Sequence, residues 1–301
     1  MKKRPLVLLL CLALLFSFLS GCGKRREPAV TRPEKEDQLD KNYGTPVFVN
    51  EVKAPQEGDD PLALSGVENV LRISYVLQHA ENYSLDAVGT VKTKVAFISY
   101  SQDVETYKDY CRGVTVQIDI TKSTIVSDAW QTCFVGETAM TRGAAGGKKS
   151  WDGRNTEWEG EEPTVFSRDE YRPDYGLFGF ELTNYILNAD TVDGSTPAID
   201  NGDGTFSQTI YPNLTAATGD VVRRMRTMGG LDKDPVFKES AITLTFDADW
   251  RILSMHIEER YSVKVGIINS DKCRAVSDYT YTYGNADLSD FDRYYAWFLE
   301  E

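Results

Sequence analysis

Ile242-Thr243-Leu244-Thr245-Phe246, then Asp247-Ala248-Asp249, then Leu253-Ser254-Met255-His256-Ile257-Glu258 is the most informative stretch of this 301-residue chain. Apolar and polar residues alternate on both sides of an acidic turn, which predicts two strands, each with one buried face, joined as an antiparallel hairpin. The pattern continues into a third strand over 261–267 and, through Asn269-Ser270-Asp271, into a fourth where Tyr279, Tyr281 and Tyr283 share a face. A closing antiparallel meander is the expectation. Ser289 and Asp292 offer a cap for a terminal helix bearing Phe291, Tyr294, Tyr295 and Phe298.

Upstream of the meander, helical and strand periods alternate. Leu64, Val67, Val70, Leu71 and Leu77, widened by Ile73 and Val76, predict a helix within 61–79. Strands rich in Val, Tyr, Thr and Ile are expected over 82–100, 114–120 and 130–142. Ser167-Arg168-Asp169-Glu170 has capping-box spacing before Tyr175, Phe178, Leu182, Tyr185 and Ile186, so a second amphipathic helix is predicted there. Asp200-Asn201-Gly202-Asp203-Gly204-Thr205 reads as a hairpin turn into a strand over 206–211. A third helix is expected over 214–228, stopped by Gly229-Gly230; its Arg223, Arg224 and Arg226 read as a solvated face.

The start of the chain addresses its location. Lys2, Lys3 and Arg4 precede an apolar run from Leu6 to Leu19, too short for the ~20 residues of a membrane span. Leu19-Ser20-Gly21-Cys22 ends that run and resembles the lipobox of bacterial lipoproteins. The resemblance implies cleavage after Gly21 and a diacylglyceryl group on the Cys22 sulfur, hence a cell-membrane lipid anchor with the domain on the extracytoplasmic side. Two acyl chains, at ~0.8 kcal/mol per buried methylene, anchor stably where one is marginal. Residues 22–61 are polar and Pro-containing, as expected of a flexible linker, leaving 62–301 as a single domain. Removal of 1–21 takes three basic residues and no acid, leaving 30 basic against 46 acidic residues, a charge of −16. Such a charge repels nucleic acid and anionic lipid headgroups, so neither is expected as a ligand of the exposed surface.

Sites with recognisable chemistry are scarce. His79 and His256 are the two histidines, with no metal-ligand spacing around them, so no metal or other cofactor is expected. Gly143-Ala144-Ala145-Gly146-Gly147-Lys148-Lys149-Ser150 lacks the first Gly and the Ser/Thr after Lys that a phosphate loop requires. The Asp200–Thr205 stretch lacks the closing Glu of a calcium loop. Trp151, Asp152, Glu157 and Trp158 hint at sugar binding, but the polar stretch around them reads as a solvated loop. Once Cys11 leaves and Cys22 takes the lipid, Cys111, Cys133 and Cys273 remain, an odd count. A hairpin of 114–120 with 125–134 would bring Cys111 roughly opposite Cys133, making these the candidate disulfide.

The order of helix, strands, helix-containing insertion, Asp-Gly hairpin, helix and closing meander is similar to that of the LolA/LppX-like lipoprotein half-barrels. The resemblance is carried by 83–99, by Asn201-Gly202-Asp203-Gly204-Thr205 and by 242–261. It implies an α+β domain in which a curved antiparallel sheet carries helices packed on one face around an apolar cavity, with no catalytic residues. The function implied is binding of a lipid or other amphipathic ligand. A structural or assembly subunit with an envelope protein partner is the alternative, and an envelope hydrolase, needing convergent acids in a cleft, ranks third.

Overall fold

Ser65 opens the first helix, α1 (Gly66–Gln78): its hydroxyl accepts the Glu68 amide at 3.3 Å, and the Glu68 carboxylate accepts the Ser65 amide at 3.2 Å. Two of the amides that every helix start leaves unpaired are thereby satisfied. The computed structural model describes residues 52–95, 98–123, 127–158, 163–175, 179, 181–227, 231, 233–265 and 268–284. The expected signal, the expected lipid attachment at Cys22, most of the expected linker and the expected terminal helix lie outside them.

Val70, Ile73 and Leu77 form the buried side of α1. At its first turn a side chain on Gly66 would stand 2.4 Å from Ser195 Cβ, so only glycine allows this close approach. Residues 52–61, read from the sequence as the end of the linker, run along the helix. Arg72, 2% exposed, donates to Asp59 at 2.6 Å, and the Lys53 amide donates to the Leu71 carbonyl. Asn69 is fully buried, donating to Gln208 Oε1 at 2.9 Å and to the Pro61 carbonyl at 3.0 Å, while accepting from Trp250 Nε1 at 2.8 Å. Asn69→Ala would orphan the indole donor and the Gln208 acceptor together. A loss of about 2 kcal/mol is expected in urea unfolding, with an unchanged slope.

The strands are β1 (Asn82–Val95), β2 (Ile98–Cys111), β3 (Val114–Ser123), β4 (Asp128–Val135), β5 (Thr138–Gly143) and β6 (Thr164–Ser167) in the first half. Helix α2 (Arg168–Tyr175) follows, then β7 (Val192–Ser195), β8 (Ile199–Asp200), β9 (Thr205–Pro212), α3 (Gly219–Thr227), β10 (Lys233–Asp247), β11 (Ile252–Val265) and β12 (Ile268–Tyr283). They form a single antiparallel sheet ordered β6-β5-β4-β3-β2-β1-β12-β11-β10-β9-β7, with β8 also on β9. It is open and curved, its end strands unpaired with each other. No helix among the described residues is long and apolar enough to cross a membrane.

The predicted meander is present but coarser than expected. Its second and third strands are one, β11, and Phe246 pairs with Ile252 across a register shift, so Ile252 is fully buried and Leu253 only partly. The capping box at Ser167 and Glu170 forms as predicted, with contacts of 2.9 and 3.3 Å. The helix it starts spans Arg168–Tyr175, and Leu182, Tyr185 and Ile186 reach the core from irregular backbone. The hairpin turn after Asp200 is also present, closed by the Asn201 amide donating to the Thr205 carbonyl.

The β3–β4 hairpin forms, pairing Val114 with Val135, but the expected disulfide does not. Arg112 and Gly113 take φ of 46° and 87° and reverse the chain, so Cys111 ends β2, and β3 separates it from Cys133 on β4. Both thiols are free, and burial raises the Cys133 thiol to about 12, where thiolate is negligible at neutral pH.

Candidate functional site

Cross-strand register shows how one face of the sheet changes character. The row Leu244, Met255, Tyr279, Ala87, Thr106, Asp119, Trp130 runs from β10 to β4, and the next row is Ile242, Ile257, Ser277, Gly89, Val104, Thr121, Asp128. On β9 to β12 these positions are mostly apolar and join the main core with Val70, Ile73 and Leu77 of α1 and Val221 and Val222 of α3. On β2 to β4 the same face carries Lys108, Gln117 and Thr132 in one row and Thr106 and Asp119 in the next.

The opposite face shows the converse. On β3 and β4 it presents Val116, Ile118, Ile120, Ala129 and Cys133, all buried. Segment 144–158, expected to be solvated, lies over part of it and contributes Trp151 and Trp158 to the cluster of Ile118, Ile120 and Ala129. Arg154 fastens that segment by donating to Asp109 at 3.0 Å and to Asp86, with its guanidinium 5.0 Å from the Tyr107 ring centre. The tryptophans that suggested sugar binding are therefore packing residues. Burying the far side of β3 and β4 under this segment leaves their core-facing side free to be polar.

Around the polar zone stands a network of buried charges. Arg172 on α2 donates to Glu181 at 3.3 Å and to Asp220 at 3.4 Å, and Arg223 donates to Asp220 at 3.1 Å. All four side chains are at most 5% exposed. Arg224 reaches across to Asp119 at 2.5 Å, and Arg226 pairs with Asp234. The arginines of α3, expected on a solvated face, thus tie the helix to its surroundings. Asp119 also accepts from Thr106 Oγ1 and Gln117 Nε2, both at 2.7 Å.

Lys108 differs from all of these. It is 7% exposed, and among the described residues no hydrogen bond or ion pair engages its ammonium, which is not wholly sealed from solvent. Burial pulls its pKa down to about 8, against the opposing pull of Glu181 and Asp119. At pH 7 it is still charged. A second polar couple lies across the face, where Tyr185 donates to Glu259 at 2.5 Å and accepts from Ser240 at 2.9 Å. Burial raises the Glu259 pKa, and the Tyr185 hydrogen bond works against that rise.

Between these polar groups the face is half-buried and largely apolar. Val91, Val104, Trp130, Val263 and Tyr279 are neither solvated nor sealed. Residues of this kind, grouped beside buried polar atoms, form an amphipathic surface. No group of His, Cys, Asp and Glu among the described residues could hold a metal ion.

The chain loosely resembles several solved structures. LprF from Mycobacterium bovis is 13% identical with a TM-score of 0.30, covering 72% of this chain and 90% of its own. A DUF1329 family protein from Desulfovibrio piger is 12% identical with a TM-score of 0.25, at coverages of 76% and 97%. A LolA superfamily protein from Nitrosomonas europaea is 6% identical with a TM-score of 0.27, at coverages of 74% and 95%. No family model and no curated protein matches the chain. The chemistry of the site is therefore read from this chain's own residues.

Sequence reading missed the site almost entirely. Lys108 lies on β2, whose residues carried no strand assignment beyond 100, and Glu181, Asp220 and Glu259 are single acids in an acid-rich chain. The available signal was the reversal of alternation: over Val114 to Ile120 the apolar residues are Val114, Val116, Ile118 and Ile120, and the polar ones between them face the interior.

Proposed function

We propose that this chain is an envelope-anchored lipoprotein, held through a lipid on Cys22, that binds a lipid or other amphipathic ligand without catalysis. The three helices are taken to lie on the same face of a half-barrel, with the ligand between that face and the helical layer. The observation that carries the reading is the change along each row, from a mostly apolar surface on β9 to β12 to a more polar one on β2 to β4, with half-buried apolar residues on both parts and at Val91 of β1 between them. A face that only had to pack would be apolar throughout, because each buried polar group costs free energy unless satisfied. An amphiphile matches both halves. Asp119 and Glu181 are each engaged by an arginine, Arg224 and Arg172 respectively.

Native mass spectrometry of the full chain, extracted from its envelope in mild detergent, tests both parts. The expected species starts at Cys22, carries the added lipid mass, and holds a dissociable amphiphile recovered by organic extraction. A chain without the added mass removes the anchor, and a chain free of any extractable amphiphile removes the binding role.

A further inference from the structure

Lys108 is a buried cation for which the fold supplies no partner among the described residues. The two carboxylates acting on it are already engaged. Glu181 accepts from Arg172, and Asp119 accepts from Arg224, Thr106 and Gln117. A largely buried ammonium with no hydrogen-bond acceptor from the protein is unfavourable, and the usual resolutions are neutralisation or an anionic partner. Arg172 and Arg223, still more deeply buried, have taken the second route within the protein.

The position of Lys108 indicates where its partner comes from. It shares a row with Leu85 on one side and Gln117 on the other, facing the interior. Along β2 the same face passes through Thr106 to Val104, about 13 Å away at ~3.3 Å per residue. Val104 belongs to the half-buried apolar strip, together with Val91 on the neighbouring strand. An acyl chain of about ten carbons spans that distance, with one end on the strip and the other at the ammonium. We propose that Lys108 receives the anionic head, a carboxylate or phosphate, of the amphiphile, and so selects charged amphiphiles over uncharged ones of the same chain length. This rests on the binding role proposed above and specifies the ligand's chemistry.

The test is competition, followed by native mass spectrometry of the full chain in mild detergent, among oleate, methyl oleate and inorganic phosphate. Oleate is expected to bind about tenfold more tightly than methyl oleate, the scale of one hydrogen bond to a charged group. In Lys108→Met, and in Lys108→Gln as a polar control, the preference for oleate over methyl oleate is expected to fall below about twofold. Equal binding of oleate and methyl oleate to the unaltered chain would overturn the anionic-head assignment and leave amphiphile binding standing. Binding of neither would overturn both. Binding of phosphate alone, lost in Lys108→Met, would retain the anion site and identify its source as a free ion, removing the amphiphile. A preference for oleate that survives in both variants would place the head elsewhere and overturn the assignment.

Discussion

Asp220→Ala is expected to destabilise this protein by about 3–5 kcal/mol, the range for removing one member of a buried ionic group. Asp220 is 1% exposed and accepts from Arg172 of α2 through one carboxylate oxygen and from Arg223 of α3 through the other. Its loss leaves two guanidiniums, each at most 2% exposed, with an anion removed from between them. Neither can swing to solvent without opening the contact between the helices. At about 2–4 °C per kcal/mol for a domain of this size, the melting temperature is expected to fall by roughly 10 °C, measurable by calorimetry. Replacing Arg172, Glu181, Asp220 and Arg223 together by Met, Met, Leu and Met should recover most of that loss, because all four charges leave together and the penalty comes from unbalanced charge in low dielectric. A quadruple variant as unstable as Asp220→Ala would show that the network holds the helices through geometry that apolar side chains cannot reproduce.

Lys108→Met is expected to act in the opposite direction. A fall in pKa from 10.5 to about 8 reports how strongly the fold disfavours the charged lysine, an effect of about 3 kcal/mol at 1.36 kcal/mol per unit. Methionine fills a similar volume without the charge, so the variant should be more stable at pH 7 by up to that amount. The pH dependence has a definite sign. Below about 8 the lysine is charged in both states, and the native state bears the full penalty. Between about 8 and 10.5 the unfolded chain binds more protons than the native one, so native stability rises with pH. The stability advantage of Lys108→Met should therefore be largest at neutral pH and shrink across that window. Urea unfolding of both proteins at pH 7, 8.5 and 9.5 measures it; an advantage that does not vary with pH would mean that packing, not charge, separates them. A residue that weakens the fold while facing the proposed binding surface is the trade-off expected where function requires an unsatisfied group.

Legibility in the chain followed the range of the interactions involved. The hairpins at Asp200–Thr205 and at the end of β10, the Ser65 and Ser167 caps and the β3–β4 pair rest on neighbours within a few residues, and most were readable. The Ser65 box itself escaped notice, though it fell at the start of a correctly predicted helix. Errors arose where one residue changes a register. The reversal at Arg112–Gly113 moved Cys111 off the hairpin, and the irregularity at Phe246 exchanged Ile252 for Leu253 in the core. The second helix ran long in prediction because Leu182, Tyr185 and Ile186 keep helical spacing while reaching the core from bent backbone.

The chain's local patterns settled its class, an antiparallel sheet with a few amphipathic helices, because period-two and 3.6-residue alternation are properties of consecutive residues. The proposed anchor at Cys22 likewise rests on consecutive residues alone. The polar zone could not be read in the same way. Whether the apolar or the polar side of β3 faces the core depends on segment 144–158 covering the other side. Whether Arg223 is solvated or buried depends on an acid on its own helix meeting an arginine 48 residues away. Burial converts such ordinary surface charges into a site, and burial is set by contacts between distant segments, so Lys108 becomes an unusual residue only once the sheet has closed around it.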